Sequence, residues 1–156
     1  MSAGRLVRAG GIDAVEEHYR NLGADHHNAF ADMLVFDALT CNIDRHFGNF
    51  GFLVSNRENR ICSPVPLFDH GLSLLPFAME DDYTTLEALQ EYARTQQPKA
   101  CDDFIGRARE SMGKMQKEKV RRVLEFSFNK RARCNWPDKR LKTLEMFVRE
   151  RARLLL

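Results

Sequence analysis

The sequence predicts a mainly helical, single-domain fold over residues 1–156, interrupted by one small β-hairpin. Helical patterns recur in six segments, which calls for a bundle. Between them, Phe50-Gly51-Phe52-Leu53-Val54 reads as a strand, Ser55 to Arg60 as a polar turn, and Ile61 as the start of a return segment. No internal repeat, low-complexity tract or linker divides the chain, and 156 residues suffice to bury roughly two thirds of the unfolded surface.

The elements follow in order. Asp13 to Gly23 has an acidic start and a glycine stop, the pattern of a short helix. From Asp25 to about Cys41, Phe30, Met33, Leu34, Phe36, Ala38 and Cys41, with Asp37 among them, form a nearly all-apolar span without glycine or proline. That suits a helix buried on most sides, running directly into the loop at Asn42. After the hairpin the chain is irregular from Gly71 through Pro76. Thr84 to Thr95 places Leu86, Leu89 and Tyr92 near helical spacing, with Pro98 beyond its end, and Asp102 to Met112 is a further short helix before Gly113. Lys117 to Arg131 carries Val120, Val123, Leu124, Ser127 and Phe128 on one stripe. Pro137 opens an amphipathic terminal helix through Leu141, Leu144, Phe147, Val148, Arg151, Leu154 and Leu155.

Composition excludes more than it assigns. With 44% hydrophobic and 29% charged residues, a net charge of +2 gives no general reason to expect nucleic acid or membrane as a partner. The last third is basic through Arg121-Arg122, Lys130-Arg131, Arg133, Lys139-Arg140, Lys142, Arg149, Arg151 and Arg153. It carries no nucleic-acid motif, and Phe126, Phe128 and Trp136 read as core, so solvated helix faces are expected. Cys41, Cys62, Cys101 and Cys134 show neither a Cys-x-x-Cys nor a zinc-type spacing, which points to buried or semi-exposed free thiols. No apolar run spans a membrane and no leader follows Met1, so the expected compartment is the cytoplasm.

One passage asks for a reaction. Asn42-Ile43-Asp44-Arg45-His46-Phe47-Gly48-Asn49 is followed, twenty residues past Asn49, by Phe68-Asp69-His70-Gly71. An Asp-x-x-x-x-Asn pair alone is common in turns, where both side chains bond their own backbone. The hairpin changes that reading, because it would bring Asn49 and Asp69 side by side. Asp69 would then end a buried strand, a costly place for a charge without a partner. One carboxylate with one amide carbonyl suits a magnesium ion bound to a nucleotide, and phosphoryl transfer needs such placement and charge. His46 is read as bonding nearby backbone to hold the loop, with metal binding the alternative. Arg45, beside Asp44, is a candidate contact to a substrate or phosphate, while His26-His27, at a helix start, is read as surface.

On Asn42-Ile43-Asp44-Arg45-His46 with Asn49, and on Leu67-Phe68-Asp69-His70-Gly71, the chain resembles the HipA-like kinases, bacterial relatives of the protein and lipid kinases. The Asp-Arg-His order with Asn five after the Asp is also similar to phosphatidylinositol kinases. The resemblance implies a protein kinase-like C-terminal lobe, with Asp44 as catalytic aspartate, Asn49 and Asp69 holding magnesium on ATP, and His46 bracing the loop. It implies a Ser/Thr protein hydroxyl as acceptor. It also implies a glycine-rich strand-turn-strand and a lysine upstream of Asp44. None of the residues before Asp44 is lysine, the first being Lys99, and Gly10-Gly11 reads as a turn. The expectation is therefore a C-lobe without its N-lobe, nearly inactive alone, with a separate N-lobe or an antitoxin chain as possible partner. Self-association is expected through apolar surface around Leu34, Phe50 and Phe52.

Two other classes compete. A metal-dependent hydrolase would gather His26, His27, Asp44, His46, Asp69 and His70 around a transition metal. A non-catalytic interaction domain, for instance a toxin-antitoxin component, would keep the fold and make no use of Asp44.

Overall fold

The computed structural model describes residues 1–5, 10–129 and 136–156, so expectations for Cys134, Lys130-Arg131 and Arg133 lie outside the described residues. The first helix, α1 (Gly11–Asn21), has Asp13 in its first turn and Arg20 in its last, charges that complement the helix dipole. It buries Val15, Glu16 and Tyr19. The second, α2 (Ala24–Thr40), buries Phe30, Ala31, Met33, Leu34, Val35, Ala38 and Leu39, residues distributed around much of its circumference. It is accordingly the central element, touching α1 and three later helices. Cys41 ends it in the left-handed region at φ 53°, and the amides of Cys41 and Asn42 both turn back to Asp37 O.

The hairpin consists of β1 (Phe52–Ser55) and β2 (Arg60–Pro64), antiparallel with Phe52 opposite Pro64 and an irregularity between Leu53 and Val54. Phe50 and Gly51, expected in the strand, instead pair on the other side with the chain's first residues. Ala3 N donates to Phe50 O at 2.9 Å and Phe52 N to Met1 O at 2.8 Å. Gly51, at φ 153°, lies so close that an added Cβ would collide with Met1 O. Phe50 and Phe52 are 4% and 0% exposed, with the Tyr19 ring against both and the Phe30 ring against Phe50, 4.3 Å separating the centroids of Tyr19 and Phe52; Leu34, on α2, is 5% exposed. The expected apolar surface at Leu34, Phe50 and Phe52 is therefore corrected. The exposed apolar side chains nearby are Leu53, Leu67 and Phe68, with Phe77 and Met79 further on.

Past the irregular segment, a short 3-10 turn, Glu80–Tyr83, exposes Glu80 and Asp81 and buries Tyr83, whose hydroxyl donates to Leu75 O at 2.7 Å. Then come α3 (Leu86–Arg94), capped by Thr85 Oγ1, and α4 (Phe104–Ser111), capped by both carboxylate oxygens of Asp103. The next helix, α5 (Lys114–Val123), begins and ends earlier than its stripe predicts. Beyond Leu124 the terminal helix takes the backbone groups that a longer α5 would need. Glu145 Oε1 accepts from Phe128 N at 2.8 Å, and Arg149 Nε donates to Phe126 O at 2.7 Å. That terminal helix, α6 (Asp138–Leu155), buries Leu141, Leu144, Phe147, Val148, Ala152 and Leu155 against the body.

The basic C-terminal third is used more than expected. Arg149 and Arg151 bond main-chain carbonyls, and Arg140 lies over the rings of Tyr83 and Trp136 at 4.2 and 4.0 Å. Trp136 is 41% exposed, so it is not the core residue that the sequence suggests. Among the described residues no helix is long and apolar enough to cross a membrane, and Cys41, Cys62 and Cys101 are free thiols.

Candidate active site

The site grows from one buried charge. Asp37, in the last turns of α2, is 3% exposed, and a carboxylate there requires compensation. Arg45, eight residues on and 1% exposed, supplies it: Nε donates to Asp37 Oδ2 at 2.7 Å and Nη2 to Oδ1 at 3.0 Å. The remaining guanidinium protons reach both loops of the motif. Nη1 donates to Asn49 O and to Phe68 O, each at 2.9 Å, and Nη2 to His70 Nδ1 at 3.3 Å. All five N–H groups are thus engaged. Asn42, fully buried, closes the knot, donating from Nδ2 to Asp37 Oδ1 at 3.0 Å and accepting Asp44 N at 3.3 Å.

Because Arg45 holds the residues on either side of Asp69, that carboxylate is set against the other loop. The ligating atoms of Asp44, His46 and Asp69 all fall within 4.8 Å of one another. Asp69 sits at φ 60°, a left-handed conformation that aspartate tolerates better than most residues. Asn49, 5% exposed, donates from Nδ2 to Asp44 O at 3.1 Å, and its amide oxygen accepts from no described residue. The two carboxylates that meet here are hard donors of the kind magnesium takes, and the Asn49 amide oxygen is a donor of the same kind. His46 is exposed, and its Nδ1 accepts Gly48 N–H at 3.0 Å. The backbone thus occupies Nδ1 and leaves Nε2 as the ring nitrogen facing a ligand.

Lys99 completes the site. Its ammonium, on the segment between α3 and α4, contacts Asp44 Oδ1. That hydrogen bond, helped by the positive charges of Lys99, His46 and Arg45 and opposed by desolvation, holds the Asp44 carboxyl below the usual carboxylate range.

Several expectations change. Arg45 does not face substrate or phosphate as its place beside Asp44 suggests; buried, with every donor used, it instead positions the loops. Asp69 does not end a buried strand, since β2 stops at Pro64 and Asp69 is exposed, so burial cost is no argument for a metal there. His46 bonds backbone as expected. The six-residue hydrolase centre does not assemble: His27 Nε2 lies 2.9 Å from Glu16 Oε1, His26 faces the Phe52 ring at 6.0 Å, and His70 is held by Arg45. Sequence reasoning missed Asp37, Asn42 and Lys99 as members of the site. A lone aspartate in an apolar helix was the available signal for Asp37; nothing in the spacing marked Lys99.

This fold is similar to that of a kinase. The similarity is to the crystal structure of the Helicobacter pylori proinflammatory kinase CtkA, with a TM-score of 0.56 and 20% sequence identity, covering 90% of this chain and 58% of that one. The chain therefore spans a little over half the length of that kinase. No family model matches the chain, and no curated protein matches its sequence.

Proposed function

We propose that this chain is the C-terminal catalytic lobe of an ATP- and magnesium-dependent, HipA-like kinase acting on a Ser/Thr hydroxyl of a protein. The observation that carries the reading is the Asp37–Arg45 pair, which ties the Asp44 loop to the Asp69 loop and brings the two carboxylates together across 25 residues of chain. Asp69 and Asn49 would hold the magnesium, and the ion would neutralise charge on the nucleotide's phosphate oxygens. A carboxylate with a depressed pKa is a weak base, so Asp44 serves chiefly to orient the acceptor hydroxyl. His46 offers Nε2–H as a donor to an anionic group. A glycine-rich lobe, in the same protein or in another chain, would cover the nucleotide and supply its lysine.

Isothermal titration of ATP, with and without magnesium, tests this reading. The expected result is weak, magnesium-dependent binding, on the order of millimolar, that Asp69→Asn removes. Low-micromolar affinity would contradict the need for a second lobe, and an Asp69→Asn protein that titrates like wild type would end the kinase assignment.

A further inference from the structure

Lys99 stands outside both motif loops, and its only partner among the described residues is Asp44 Oδ1, 55 residues away in the chain. Asp44 also belongs to the group whose ligating atoms lie within 4.8 Å of one another. A divalent ion held between Asp44 and Asp69 would thus approach the carboxylate that carries the ammonium, and two cations on one carboxylate repel each other. The segment bearing Lys99 has no regular structure between the end of α3 and the Asp103 cap of α4. Its residues Gln96, Gln97 and Pro98 border a cavity of about 560 Å³, and the Lys99 side chain is 59% exposed while Ala100 beside it is buried, so the side chain can turn to solvent with its backbone in place.

We propose that Lys99 is an internal competitor for the divalent-cation site, its side chain acting as a latch whose ammonium and the metal ion take Asp44 in alternation. Loading the metal releases Lys99, and a free, flexible ammonium beside the site is then available to an anionic ligand such as a phosphate group. The inference rests on the divalent-cation reading above and concerns the regulation of that same site.

Manganese is the probe, with free ion followed by electron paramagnetic resonance in titrations of the full chain. Lys99→Met should bind manganese about tenfold more tightly than wild type, a typical size for coupling between two ligands, whereas Lys99→Arg, which keeps the charge, should not. In parallel, acetylation of the Lys99 amine, read by mass spectrometry, should accelerate when manganese saturates the wild-type chain and slow again with a chelator. If wild type and Lys99→Met bind manganese equally and Lys99 reactivity stays constant, the latch is wrong and the metal reading survives. If neither protein binds manganese, or Asp69→Asn binds it like wild type, both are wrong.

Discussion

Arg45 illustrates how a single side chain can be essential to a site without reaching its ligand. Removing it would strand Asp37 in the interior and sever both loops at once. Arg45→Ala should lower the unfolding free energy by about 3–5 kcal/mol, measured by urea denaturation, a large share of what a domain of this size possesses. Adding Asp37→Asn should recover part of the loss, since the uncompensated charge disappears. Asp44 makes the opposite case, an accessible group tuned by one partner. Its folded-state pKa is depressed, so the stabilising pair with Lys99 is fully present above the ordinary carboxylate range and is lost as pH falls through the lower folded value. A carbon-13 titration of the Asp44 carboxyl should find its midpoint below that range, and Lys99→Met should raise it.

At the scale of elements, the hairpin's position depends on the backbone pairing of residues 1–3 with 50–52. Gly51→Ala puts a methyl group against Met1 O, 2.9 Å from Ser2 Cα and 3.0 Å from Ala3 N, in a φ range that side chains rarely adopt. A destabilisation of about 1–3 kcal/mol is expected, whereas Gly71→Ala, with nothing within 4 Å of the added atom, should stay within about 0.5 kcal/mol. Comparing their urea midpoints checks both. Element types were legible where periodicity was strong: α2 and α6 lie within a residue or two of their apolar stripes. The end of α5 was not, because Glu145 and Arg149, far along the chain, decide it through hydrogen bonds to Phe128 and Phe126.

For the whole molecule, the same distinction between local and distant causes explains which parts of the site could be read. Asp44, Asn49 and Asp69 sit in motifs whose spacing is local, and the hairpin between the motifs is a local feature too. The contacts that orient them are not local. Arg45 turns inward because Asp37 waits eight residues back and Phe68 O lies 23 residues ahead, and Lys99 arrives from a segment with no motif at all. Spacing therefore named the polar cluster and misjudged which members face outward. The guanidinium's full set of donors has one last consequence. Two stretches of chain separated by a hairpin hang on a single ion, so neither can loosen without unbuttoning the other, and the pair behaves as one cooperative unit in local unfolding.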